Sequence, residues 1–332
     1  MSTDIDTKMS PKTAEALYRV FETYSAANPV PETPAGLYDA VRHIMAIPGK
    51  RLRPVLLLAA SEMFGTDAEE AAPAALAVEW YHNSTLVHDD IMDAADLRRG
   101  LPTVHNLYGI NTAINTGDVM IIRTYEILTR LNNAGALTVM NVFTKAATEV
   151  IEGQTLDLDF ETRRDVTVEE YLKMVEMKTS VLIAAAVKMG ALIGGAGARD
   201  AEAMYHFGLN LGISFQIKDD WLDSFGEGGK TGKKVGGDIL RNKRTLLYLT
   251  ARTKADEKQK AELDRLETEP DGETKIQATL AIWEALGIRD LVERRMADFY
   301  AEALRNLDSV MMEEDRKTVL RDLARRIYAR DF

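Results

Sequence analysis

The stretch STLVHDDIMDAADLRRG, residues 84–100, ends an apolar helical run in three aspartates and follows them with two arginines. Clustered carboxylates repel one another unless something positive lies among them. On a helix, Asp89 and Asp93 stand one turn apart on one face, with Asp90 turned about 100° away. Such a set offers several oxygens to a hard divalent cation, and Mg²⁺ commonly takes one or two carboxylates together with phosphate oxygens. One acidic cluster alone reads equally well as a solvated helix end. A second stretch, FQIKDDWLDSFG at 215–226, repeats the spacing with Asp219, Asp220 and Asp223, behind a run too apolar for a surface face. Two clusters favour metal. A calcium EF-hand is excluded, because no D-x-D-x-D-G loop is present.

The cations are grouped as well. GKRLRP, 49–54, opens a helix with Lys50, Arg51 and Arg53, and a helix N-terminus already favours anions. Arg98 and Arg99 follow the first cluster, while Lys230, Lys233, Lys234 and Lys243 surround the glycine-rich GEGGKTGKKVGGD at 226–238. Arg51, Lys230 and Lys233 read as solvated surface charges. Basic groups beside two acidic clusters point to a diphosphate with magnesium, and the planar arginine fork suits such a ligand. A lone histidine in an apolar helix is ordinarily a core residue; His82 sits two turns before Asp89 on the same face, which argues for a ligand contact instead. Lys178, in EMKTSVLIAAA, stands at the mouth of the most apolar helix, where an unpaired ammonium would be costly. A bound diphosphate would supply its partner.

Bulk composition narrows the classes. The chain has 332 residues, 46% of them hydrophobic, and no cysteine. Disulfides, thiolate metal sites and cysteine nucleophiles are therefore excluded, in keeping with a reducing cytoplasm. A net charge of −11 leaves no broad basic field for nucleic acid. The acidic N-terminus lacks the pattern of a signal peptide. The longest apolar run, 180–197, is too short to span a membrane and carries Lys188, so it reads as a buried helix.

Helical periodicity dominates, and convincing period-2 strand runs are missing. Helices are expected over 13–27, ended by the proline-bearing NPVPETPAG, then over 53–65 and 67–93, the last broken or kinked at Pro73. Residues 98–109 read as loop. Further helices are expected over 114–131, 136–162, 167–194, 200–224, 238–253, 255–266, 274–286, 288–306 and 313–329. No linker divides the chain. The expectation is one all-α domain over 1–332, a helical bundle around a central cavity, with residues 1–10 a mobile tail.

GKRLRP, HDDIMD…RRGLPTVH, MKTS, FQIKDDWLD and GGDILRNKRT occur in an order that resembles the trans-prenyl diphosphate synthases, the polyprenyl synthetase family. The resemblance spans residues 49 to about 250. It implies the all-α isoprenoid synthase fold, usually as a homodimer. It also implies Mg²⁺-dependent, head-to-tail condensation of isopentenyl diphosphate with an allylic diphosphate, with three ions recruited alongside the substrate. By position, Asp89, Asp90 and Asp93 would bind metal from one wall, and Asp219, assisted by Asp220 and Asp223, from the other. Arg98, Lys178 and Lys234 match the allylic diphosphate contacts, with Lys243 close by. Lys50, Arg53, His82 and Arg99 match the isopentenyl diphosphate pocket. Thr179 and Gln216 match positions whose oxygens lie near the carbocation, and Gln154 and Asp157 match a further polar cavity motif. Counting back from Lys243 selects Lys234 over Lys233, and Arg330 is available for the C-terminal basic contact that often closes the site in relatives.

The resemblance also bears on product length. In this family the residue five before the first aspartate often forms the tunnel floor. Here that residue is Ser84, with Thr85 next, and both are small. Tyr81 lies one turn deeper, roughly 5 Å, which admits about one more isoprene unit than a farnesyl-stopping floor and predicts a C20 product. If Tyr81 turned into the helix packing, chains would be longer. A class I terpene cyclase would not need the second basic pocket, and a non-catalytic regulatory subunit tends to lose aspartates that are intact here.

Overall fold

The computed structural model describes residues 12–131, 135–226 and 236–329. In chain order, the helices are α1 (Ala14–Ala27), α2 (Ala35–Ala46), α3 (Leu52–Phe64) and α4 (Ala68–Met92). A two-strand antiparallel pair, β1 (Leu97–Arg98) and β2 (Leu101–Pro102), leads into α5 (Val104–Tyr108), α6 (Ile110–Leu128) and α7 (Ala136–Thr162). Then come α8 (Val168–Val175), a π-helical turn (Glu176–Ser180), α9 (Val181–Ile193) and α10 (Ala198–Phe225). The chain ends in α11 (Gly237–Leu240), α12 (Leu246–Lys254), α13 (Glu257–Leu266), α14 (Gly272–Ala285), α15 (Ile288–Asp308) and α16 (Glu314–Ala329). The all-α expectation holds. No helix among the described residues is long and apolar enough to cross a membrane.

Several expected boundaries differ, each for a local reason. α4 runs unbroken through Pro73. The N–H that proline lacks would have served the carbonyl of Glu69, an exposed residue in the first turn. The expected helix over 238–253 is two pieces, because Asn242 takes a left-handed φ of 55° and Thr245 then caps α12 by accepting from Tyr248 N at 3.4 Å. The 98–109 loop contains the strand pair and α5. α2 escaped the sequence reading behind its prolines, although Tyr38, Val41 and Ile44 give it a buried stripe at helical spacing.

α9 is apolar on every side but for Lys188, which pairs with Glu202, and lies at the centre, packed against α3, α7 and α10. One core joins α3, α4, α6, α7 and α9; a second joins α8, α12, α14 and α15 to the C-terminal half of α10. The π-turn sits where these cores meet. Two glycines let neighbouring backbones close upon it. A Cβ on Gly153 of α7 would land on the backbone nitrogen of Lys178, well inside van der Waals contact, and one on Gly212 of α10 would stand 2.7 Å from Ser180 Cα. A π-turn inserts a residue into the helical register. The two glycines hold that irregularity, and with it Lys178 and Thr179, between α7 and α10.

Gly153→Ala is expected to cost about 1–3 kcal/mol by overpacking, read as a lower urea midpoint at unchanged m-value. An unaltered midpoint would mean that this contact does not hold the turn.

Candidate active site

The first acidic wall is the C-terminal end of α4. Asp93 caps the helix, its N–H donating to Asp89 O at 2.9 Å. Asp89 lines a cavity of about 600 Å³. Asp90, 1% exposed, faces Arg98 instead, accepting from its Nε at 2.8 and 2.9 Å and from a terminal nitrogen at 2.7 Å. Arg98 also reaches Asp89 at 3.4 Å. The strand pair aims Arg98, and the turn after it needs positive φ at both Arg99 (53°) and Gly100 (80°). Burial, and then the charge of Asp89, raise the pKa of Asp93.

The second wall is the end of α10. Asp220 accepts from Tyr171 Oη at 2.6 Å and from Gln216 Nε2 at 2.9 Å. Burial, followed by the charge of Asp238, pushes its carboxyl up to about 7. Asp223 accepts from the backbone N–H of Asp238 at 2.8 Å. These residues line a second cavity of about 330 Å³ together with Asp157, Asp219, Asp238 and Lys243. Lys178, Thr179, Gln216 and Asp219 line both cavities and mark their junction. Lys178 ties the first wall to α7, donating to Asp89 at 3.3 Å and to Asp157 at 2.5 Å. Burial opposes its charge, but Asp89 and Asp157 outweigh that and its pKa rises. Thr179 Oγ1 donates to Gln216 Oε1 at 3.1 Å.

Lys50, Arg51, Arg53, His82 and Arg99 line the larger cavity as well. Arg53 donates to His82 Nε2 at 3.3 Å; a guanidinium has no acceptor, so that nitrogen holds its lone pair and the imidazole is neutral. Burial, then the charge of Arg53, drive the His82 pKa well below its ordinary 6.5. Burial brings Arg53 down to about 10, and its Nε is buried with no hydrogen-bond partner. An anion entering there would meet an orphaned donor.

A family model described as polyprenyl synthetase matches residues 34–283. The chain belongs to that family. A geranylgeranyl diphosphate synthase of Methanosarcina mazei is 41% identical over 304 residues, covering 90% of this chain and 91% of that one. A geranylfarnesyl diphosphate synthase of Natronomonas pharaonis is 36% identical over 329 residues, covering 94% of each. A crystal structure of a geranylgeranyl pyrophosphate synthase superposes with a TM-score of 0.91 at 39% identity, covering 96% of this chain and 99% of that one. Membership of the polyprenyl synthetase family makes the chain a prenyltransferase of the trans-prenyl diphosphate synthase class.

The donors on the two walls are all carboxylate oxygens, which suits a hard divalent cation. They are not a ready-made cage. Among the described residues, the one set of three carboxylates whose oxygens lie within 4.8 Å of one another is Glu62, Asp67 and Glu69, and Lys12 already bridges Glu62 and Glu69 there at 3.0 and 2.7 Å. The synthase walls would need a bridging diphosphate to complete coordination.

Most of the residues singled out in the sequence gather here. Lys50, Arg53, His82, Thr85, Asp89, Arg98, Arg99, Gln154, Lys178, Thr179, Gln216 and Asp219 line the larger cavity. Asp157, Asp220, Asp223 and Lys243 line the second. Lys230, Lys233, Lys234 and Arg330 lie outside the described residues. Ser84 is fully buried and does not line the cavity; its Oγ donates to Tyr81 O at 2.7 Å. Tyr81 does line it, pinned by a 2.6 Å hydrogen bond from its hydroxyl to Ala147 O and set edge-on to Phe143. Arg51 is not a surface charge. It takes a left-handed φ of 47° and pairs with buried Glu79 at 2.6 Å. Three residues of the site went unread in the sequence: Glu79, Tyr171 and Asp238. Only the last carried a signal, as the acidic residue of GGDILRNKRT.

Because neutral His82 refuses a proton that the unfolded chain accepts, its own contribution to stability falls as pH drops below 6.5, against the opposite slope that the raised Asp220 carboxyl contributes as pH falls from about 7. His82→Gln should flatten that decline by up to about 1.4 kcal/mol per pH unit, measured by urea denaturation between pH 5 and 8. Parallel wild-type and variant profiles would contradict a neutral buried imidazole.

Proposed function

We propose that the chain condenses isopentenyl diphosphate head-to-tail with an allylic diphosphate to give an all-trans C20 product, geranylgeranyl diphosphate. The observation that carries the reading is the pair of acidic walls, whose cavities join at Lys178 and Asp219, with a group of cations, Lys50, Arg53 and Arg99, lining the larger cavity as well. One site that takes a diphosphate through metal and one that takes it through cations fit two diphosphates. A terpene cyclase, which binds one, leaves the second pocket without a purpose.

Asp89 and Asp93 from α4, and Asp219 and Asp223 from α10, would hold the magnesium ions, three of them with the substrate bound. Asp90 would serve through Arg98, and Asp220 from beneath the second wall. When bound, Mg²⁺ neutralises the allylic diphosphate and turns it into a good leaving group. Lys178, Arg98, Lys243 and Lys234 then take up charge that develops on the departing diphosphate. Lys50, Arg53, His82 and Arg99 orient the isopentenyl diphosphate so that its double bond faces the allylic carbon. The side-chain oxygens of Thr179 and Gln216 stand beside the cation, and apolar Leu182, Val150 and Phe215 keep water from quenching it. The departing diphosphate accepts the proton that is lost.

Tyr81 is the floor of this reading, held by Ala147 O and Phe143. A homodimer is supported by exposed apolar side chains on α6 and α7: Ile110, Ile114, Ile122, Leu137 and Ile151.

The test is product sizing. Purified protein is incubated with Mg²⁺, isopentenyl diphosphate and, in turn, dimethylallyl, geranyl or farnesyl diphosphate, and the dephosphorylated alcohols are sized. Elongation stopping at C20 is expected; cyclised product, or none, overturns the reading. Tyr81→Ala should lengthen the main product by at least one isoprene unit, and an unchanged length would remove Tyr81 as the floor. Asp89→Ala should lower kcat by on the order of 10²-fold or more, with the fold retained by circular dichroism.

A further inference from the structure

The first turn of α14 carries a lysine that the chemistry above does not use. Lys275 is 5% exposed, and burial lowers its pKa. Its Nζ donates to two main-chain carbonyls, Leu240 O and Glu267 O, each at 3.2 Å. Leu240 is the last residue of α11, and Glu267 is the C-cap of α13. Both carbonyls are thus among those that a helix end leaves without an internal partner, where a cation is favourable. One ammonium closes two helices.

Glu267 is itself a junction. Its Oε1 accepts from Arg244 and from Tyr248 Oη, each at 2.6 Å, and its carbonyl accepts from Asn242 Nδ2 at 3.1 Å. The segment from Leu240 to Tyr248 is therefore tied to one residue of the α13–α14 connection. That segment belongs to the second acidic wall. Asp238 N donates to the Asp223 carboxylate at 2.8 Å, Gly236 N to Asp223 O at 2.6 Å, and Lys243 N to Asp238 O at 2.9 Å. Asp238 and Lys243 both line the cavity there. α11 has four residues, far fewer than a helix needs to stand alone, so its position must come from what it is tied to.

We propose that Glu267 and Lys275 are positioning residues that hold α11 and Lys243 against the second aspartate cluster, and through them set the affinity for the allylic diphosphate. The identity of that ligand rests on the functional reading above; the anchoring does not.

Lys275→Met keeps the apolar stem and removes both donations. In the metal-free, ligand-free protein, hydrogen exchange of the 236–245 segment should quicken by about tenfold, with α3 and α9 unchanged. In the reaction, KM for the allylic diphosphate should rise about tenfold while that for isopentenyl diphosphate stays within about twofold. Lys275→Arg, which can still donate to both carbonyls, should restore both. Should Lys275→Met not fold, Tyr248→Phe removes a single bond to Glu267 and should give about threefold changes in the same two quantities. Unchanged exchange, or both KM values rising together, overturns the proposal. Were the wild-type protein to transfer no prenyl group, the functional reading would fall, and the exchange rates would decide the anchor alone.

Discussion

Carboxylates crowded around one cavity are the constraint on which the rest of this structure turns. Two like charges about 4 Å apart at an effective dielectric near 20 repel by about 4 kcal/mol. The fold answers with a different donor for each group. Arg98 takes Asp90, Lys178 is shared by Asp89 and Asp157, Tyr171 and Gln216 serve Asp220, and the amide of Asp238 serves Asp223. None of these donors lies next in sequence to the aspartate it meets. The walls are stable only as parts of an assembled set of helices.

The same logic governs the cations that line the cavity. Arg51, Arg53 and Arg99 would repel one another and drift apart in a wet loop. Buried Glu79 draws in Arg51, whose second nitrogen donates to Met45 O at 2.8 Å. The left-handed turn at Arg51 then starts α3 with Arg53 directed at His82. A buried ion pair is weak evidence for stability, because desolvation offsets much of the attraction. Here its visible consequence is geometric, since it fixes the turn between two cavity-lining cations.

Packing supplies the third requirement. Lys178 and Thr179 reach both cavities from an irregular turn at the head of an apolar helix, and such a turn would slide if its neighbours stood at ordinary helix separation. Glycines on α7 and α10 let backbones touch it from two sides. A rigid centre is thereby joined to α11 and its surroundings, which a separate network of polar contacts holds in place.

What the sequence by itself determined is what depends on spacing along one helix. Apolar periodicity marks nearly all the helices, and the D-D-x-x-D spacing fixes which carboxylates share a face, as does the two-turn offset of His82 from Asp89. The ordered motifs were sufficient to name the family, and with it the fold. Apart from the one-turn pair of Gln216 and Asp220 on α10, tertiary structure decided which partner each of these charges meets. Tyr171 lies 49 residues from Asp220, and Arg51 lies 28 from Glu79; nothing in either local pattern points to the other. It also decided that Asp90 turns to Arg98 while Asp89 lines the cavity, that Tyr81 lines the wall where Ser84 does not, and that the helix expected over 238–253 breaks at Asn242. The reason is physical: a helical repeat specifies a direction around one axis, whereas a hydrogen bond or an ion pair needs the relative placement of two, and only the packed core supplies that.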